Sequence, residues 1–229
     1  MGKICGYIFV LTGLLLLFRL PAATQEDCPL PSFLAKGRVW HYQWYDANGR
    51  PTYQGIHTVA QTTQTEVQIE LKIIDAYQDT VYKGQYSHTC INNRWYQHLA
   101  AKFTPEMLVP FAGLKLRSEE SGWLLPIDKM PGDSIPQAFA HIEGYSQNSK
   151  IIDLDLAIGG IQLIAQETLQ TPAGGYACMA MAYELWITQT IRKKFRLRDW
   201  FSQEVGIIRR EVFDRSGKYF GYCELTAFQ

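Results

Sequence analysis

The chain has 229 residues, 47% of them hydrophobic, with 22 basic and 22 acidic side chains and no net charge. That apolar share is ample for a packed core and excludes global disorder, and the length suits one large domain or two small ones. Balanced charge offers no basic surplus of the kind nucleic-acid binding uses, so no such partner is expected.

Lys3 precedes the apolar run ICGYIFVLTGLLLLF, which is followed by Arg19 and the small residues of PAAT. This order is that of a secretory leader cut near Ala23, so residues 1–23 read as a signal peptide and 24–229 as a single domain. The run is shorter than the roughly 20 residues that cross a bilayer, so no stable membrane span is expected after its removal. Cys28 follows QED and not a short apolar box, so lipid attachment is not expected there. Export places Cys28, Cys90, Cys178 and Cys223 in an oxidising compartment of the periplasm or cell surface, where four cysteines allow three pairings.

From residue 39 onward, period-two alternation dominates. VWHYQWYD sets Trp40, Tyr42 and Trp44 on one face, and TEVQIELKII sets Val67, Ile69, Leu71 and Ile73 against Glu66, Gln68, Glu70 and Lys72. Both patterns are those of half-buried antiparallel strands. The turn YDANGR recurs as FDRSGK at 213–218 and, without the glycine, as IDAYQD at 74–79. Its Asp can accept from backbone amides and its Gly can take the left-handed conformation, so these are hairpin tips.

One segment breaks the pattern. In FTPEMLVPFAG, Thr104 can cap a helix, Pro105 suits its first position and Pro110 stops it after one or two turns, with Met107, Leu108 and Phe111 turned inward. A short apolar helix in a long β meander predicts a plug or lid on the concave side of a curved sheet. Later, KIIDLDLAI alternates Ile152, Leu154, Leu156 and Ile158 with Asp153 and Asp155, and TPAGG forms a turn before YACMAMAYELW. In that strand Met179, Met181 and Tyr183 share one face, while Tyr176, Cys178, Ala180 and Ala182 share the other, which suits a strand covered on both sides. The basic run IRKKFRLR places Arg192, Lys194, Arg196 and Arg198 on one side, a solvated face or a contact for headgroups or an acidic partner.

The common catalytic and nucleotide templates are absent from the sequence. Its histidines are scattered, HTC at 88–90 lacks two further ligands, and DLDLAIGG lacks the third acid and closing Glu of a calcium loop. No catalytic residue, metal ligand or cofactor is assigned.

Cys28 in CPLP, KGRVWHYQWYDANGR, GQYSHTC, FTPEMLVPFAG, MPGDSIPQA, TPAGGYACMAMAY and the closing EVGIIRREVFDRSGKYFGYCEL occur in an order that resembles an exported bacterial family whose domain has no assigned function. That family is similar in fold to the lipoprotein carriers (LolA/LolB-like), a curved antiparallel half-barrel with a helical element on its concave side. The resemblance implies an all-β half-barrel, and since no catalytic residues are defined for the family, none carry over. The family pattern has cysteines at the places of Cys28 and Cys90, and bridging them would tie down the N-terminal segment, so this disulfide is expected.

Two function classes follow. In the first, a non-enzymatic envelope protein binds an apolar or amphipathic ligand, such as a lipid or an acylated or hydrophobic peptide. Trp40, Tyr42 and Trp44 line one wall of the concavity, Met179, Met181 and Tyr183 on a neighbouring strand face the same space, and Met107, Leu108 and Phe111 close it. In the second, the half-barrel is solid and docks another envelope protein. A continuous apolar cavity of roughly a few hundred Å³ favours the first, and close packing of Trp40, Trp44, Met107 and Phe111 favours the second.

Overall fold

The computed structural model describes residues 28–229, so the leader expected over 1–23 lies outside the described residues. The strands are β1 (Val39–Asp46), β2 (Pro51–Thr62), β3 (Glu66–Asp75), β4 (Thr80–Ile91), β5 (Arg94–Gln97), β6 (Lys115–Glu120) and β7 (Trp123–Leu124). They continue with β8 (Ala138–Ser146), β9 (Ser149–Thr171), β10 (Gly174–Thr188), β11 (Arg192–Ser202), β12 (Gly206–Asp214) and β13 (Tyr219–Phe228). All pair antiparallel in one sheet, in the order β6-β8-β9-β10-β11-β12-β13-β1-β2-β3-β4-β5-β7. The expected all-β class and open, curved sheet are therefore what the chain forms.

Curvature follows from connectivity. The two edge strands, β6 and β7, are consecutive in the chain and are joined only by Ser121 and Gly122, so the sheet must coil until its edges approach each other. Gly122 has φ +69°, and a Cβ there would lie 2.9 Å from the Cβ of Tyr96, so a side chain fits neither the backbone nor the space. Register shifts in β1 at His41/Tyr42 and at Trp44/Tyr45, and in β2 at Val59/Gln61, add the local twist that bulges bring.

The recurring turn behaves as its residues dictate. Asp46 Oδ1 accepts from the backbone N–H of Asn48 (2.8 Å) and Arg50 (2.9 Å), Asp75 Oδ1 from Tyr77 (2.9 Å) and Asp79 (2.9 Å), and Asp214 Oδ1 from Ser216 (2.8 Å) and Lys218 (2.9 Å). Gly49 and Gly217 have φ +76° and +85°, and the third copy puts Gln78 at φ +69° in the same place. These three turns, with those joining β8 to β9 and β10 to β11, lie at one end of the sheet because neighbours alternate in direction. Cys28 is bridged to Cys90, in the last turn-distal part of β4, at the other end. Trp95 Nε1 also donates to the carbonyl of Pro29 (2.9 Å) there.

The core is the concave face. Val67, Ile69, Leu71 and Ile73 are all buried as the alternation requires, while Glu66 and Glu70 are exposed. Each such aliphatic contributes about 1.5–3 kcal/mol on burial. The concavity is filled by the chain itself: 3-10 turns at Ser32–Leu34, Leu99–Lys102 and Val109–Phe111, and a single helical turn α1 (Pro105–Leu108). They carry Phe33, Leu34, Leu99, Phe103, Leu108 and Phe111 inward, all buried. Pro105 starts α1 and Pro110 falls at its end as expected, but Thr104 is buried and makes no side-chain cap. No helix among the described residues is long and apolar enough to cross a membrane.

Candidate functional site

Under α1, between β1, β2, β3, β4 and β12, lies a cavity of about 70 Å³. A water molecule needs about 10–15 Å³ of such space, so this volume holds a handful of waters and falls well short of the 300 Å³ at which ligand pockets begin. Trp40, Tyr42, Trp44 and Leu108 line it, so four of the residues singled out by sequence meet at one place. Two of their polar handles are already used. Trp40 Nε1 donates to the carbonyl of Val205 (2.6 Å) and the Tyr42 hydroxyl to the carbonyl of Ile207 (2.7 Å), which welds β1 to the start of β12.

The remaining site expectations separate. Met107 is half-buried and does not line the cavity, and Phe111 turns away to stack on Phe103, 5.8 Å between ring centres. Met179, Met181 and Tyr183 are buried but do not line the cavity at Trp40, and three strands, β11, β12 and β13, stand between β10 and β1. Tyr183 instead packs against Trp123, with ring centres 4.8 Å apart. The physical reason is that the returning segment carrying Lys102 and Trp123 occupies the middle of the concavity and divides it.

At that divide sits a fully buried charge network that the search for motifs passed over. Asp199 accepts from Arg210 Nε (2.7 Å) and Nη2 (2.8 Å), from Lys102 Nζ (3.2 Å) and from the Tyr183 hydroxyl (2.8 Å). Lys102 lies 4.3 Å from the ring of Trp123 and 5.3 Å from that of Tyr183, and Arg210 Nη1 donates to the carbonyl of Ala101 (3.2 Å). Burial pushes the Asp199 carboxyl up, but the neighbouring Arg210 and Lys102 outweigh it and hold it at about 2. Burial brings Lys102 down to about 8 against the pull of Asp199. A sequence signal existed: Asp199 and Arg210 fall in the core-facing phase of their strands, between Leu197 and Phe201 and between Ile208 and Val212.

Arg210 reaches the cavity wall, where it meets His57, Tyr86, His88 and Gln97. His57 Nδ1 and the Tyr86 hydroxyl are 2.8 Å apart, and Gln97 Nε2 is 3.5 Å from His88 Nε2. Burial, reinforced by Arg210 at His57 and by Lys102 at His88, lowers both imidazoles to about 3, so both are neutral at ordinary pH. Burial also raises the Cys223 thiol on this wall to about 12. Neutral imidazoles, a protonated thiol and a fully paired carboxylate make a polar interior, in which His88 Nδ1 and Gln97 Oε1 on the cavity wall have no hydrogen-bond partner among the described residues. His141, Glu143 and Asp153 cluster on the outer face of β8 and β9, but Lys150 already bridges Glu143 (3.1 Å) and Asp153 (2.5 Å).

The fold has solved counterparts. A candidate exported protein of YmcC-like fold from Bacteroides fragilis is 19% identical, with a TM-score of 0.73 over 89% of this chain and 99% of that one. A candidate lipoprotein from Parabacteroides distasonis is 20% identical, with a TM-score of 0.74 over 89% of this chain and 100% of that one. No match was found among curated proteins. The family model described as DUF3108-like matches residues 35–225.

Proposed function

The chain belongs to the DUF3108-like family, and from that premise and its packed interior we propose that it is an exported, non-enzymatic envelope protein that docks another envelope protein through a solid half-barrel. Export is supported by the charged, apolar and small-residue order of residues 3–24 and by the descriptions of its structural relatives as exported protein and lipoprotein.

The observation that carries the reading is the size of the interior space, about 70 Å³ where an acyl chain or hydrophobic peptide needs several hundred. Trp40, Trp44, Leu108 and Phe111 are all buried against the chain's own segments, and the larger open cleft of about 760 Å³ that Phe111 borders is lined in good part by Glu70, Lys72, Lys83 and Gln85, which suits a solvated groove better than an acyl chain. The chemistry-bearing groups Lys102, Asp199 and Arg210 are spent on one another and support a structural role.

Native mass spectrometry with lipid extraction, on protein purified from its own envelope, tests the reading. The expected result is a chain free of stoichiometric amphiphile, recovered with a protein partner. One bound lipid or acylated peptide per chain would overturn it in favour of a carrier.

A further inference from the structure

At the end of the sheet where five turns gather, the β10–β11 and β12–β13 turns form a cationic and apolar corner, flanked by the acids Asp153 and Asp155 of β9 and, farther along, by Asp46, Asp75 and Asp79. Ile191 stands at the tip of the first turn and is 74% exposed, with the exposed Arg192 and Lys193 directly behind it. The cationic ends of Arg192 and Lys194 lie 5.5 and 5.7 Å from the ring of Trp186 on the facing strand. The adjacent turn adds the exposed Arg215 and Lys218, followed by Phe220, 56% exposed. Trp186, Arg192, Lys193, Lys194 and Arg215 line an open cleft of about 490 Å³ between the two turns.

Much of this charge is not matched locally. Farther along the strands, Lys194 and Arg196 pair with Glu184, and Arg198 approaches Glu167. Arg192, Lys193 and Arg215 have no such carboxylate partner among the described residues. The one acid in the cleft, Asp214, is engaged by the backbone N–H groups of Ser216 and Lys218.

A bare isoleucine at an apex, a collar of cations and a tryptophan behind them call for a partner that is anionic at its surface and apolar just beneath. An anionic bilayer has that layering, and Trp, Lys and Arg are the side chains that settle at its interface. An acidic protein matches the cations but leaves Ile191 unexplained.

We propose that this corner of the sheet docks on an anionic phospholipid surface, with Ile191 entering the acyl boundary and Arg192, Lys193 and Arg215 meeting headgroup phosphates. The surface is independent of how the concave side is filled, so it stands or falls apart from the reading above. It also keeps the Cys28–Cys90 end of the sheet away from the bilayer.

Co-sedimentation of the purified protein with phosphatidylglycerol and with phosphatidylcholine vesicles tests the proposal. Binding is expected to the first and not the second, weakening as salt rises. Arg192→Ala and Lys193→Ala should each lower it about fivefold, the size expected for one cation near an anionic surface. Ile191→Ser should also lower it, and a blue shift of tryptophan emission on binding should vanish in Trp186→Phe. All four positions lie at the surface or half-buried, and a control Lys83→Ala on β4 should bind as the parent does. No binding to phosphatidylglycerol at low salt overturns the proposal. Binding that responds to the charge changes but not to Ile191→Ser overturns the entry of Ile191 into the acyl boundary, and with it the argument that favours a bilayer over an acidic protein.

Discussion

Replacing Asp199 by Asn keeps the shape of the side chain and removes the only buried acid in the central network. Asp199 takes four hydrogen bonds, two from Arg210 and one each from Lys102 and Tyr183. An amide presents one oxygen to these donors and turns an N–H₂ group toward the rest, so two buried cations lose their counter-charge. Breaking a buried pair by removing one partner costs about 3–5 kcal/mol, and the upper part of that range applies because two cations depend on the same carboxylate. With a urea m-value of about 2 kcal/mol/M, the unfolding midpoint should fall by about 2–2.5 M. Lys102→Met removes the surplus cation while filling the same space, so adding it to Asp199→Asn should recover part of the loss. A loss below about 1 kcal/mol for Asp199→Asn would refute the reasoning, since it would mean that water reaches the network and screens it.

Three other outcomes follow from the same structure. His57 and His88 are held to about 3 in the folded chain against 6.5 when unfolded, so the unfolded state binds more protons between those values. Their stabilisation is therefore complete above pH 6.5 and is lost toward pH 3, at up to about 2.7 kcal/mol per pH unit for the pair; a urea midpoint flat from pH 7 to 5 would contradict this. Gln78→Gly relieves the one copy of the turn that lacks glycine and should raise stability by about 0.5–1 kcal/mol, with no change or a loss in the urea midpoint as the contrary result. Opening the Cys28–Cys90 bridge by Cys28→Ser should cost about 4 kcal/mol for a separation of 62 residues, measured by thermal or urea unfolding of the oxidised parent against the variant.

The sheet was legible in the sequence wherever one face of a strand meets water, because Glu66 and Glu70 mark the phase that buries Ile69 and Leu71. The turns were legible because Asp and Gly each do one thing there. The Cys28–Cys90 pairing came through the family resemblance, since counting four cysteines leaves three pairings open. Pro105 and Pro110 bounded α1, yet a single helical turn has too short a face to say which of Met107, Leu108 and Phe111 points where, and tertiary packing placed Met107 off the cavity. Alternation also says nothing about which strands are neighbours, so the Trp40 and Met179 faces were expected to share a space that β11, β12 and β13 separate. The central network was present as acid and base in the core-facing phase at Asp199 and Arg210, a break in alternation that is as informative as a motif.

The account rests on the concave side being a filled interior, and a titration of tryptophan emission with monomeric palmitate and with an acylated peptide tests it most directly. A Trp186→Phe background silences the exposed tip while Trp40 and Trp44 remain on the cavity wall. The predicted result is no saturable shift with either amphiphile. A saturable shift at one ligand per chain, lost in a folded Trp40→Phe, Trp44→Phe variant, would contradict the filled interior and make the half-barrel a carrier.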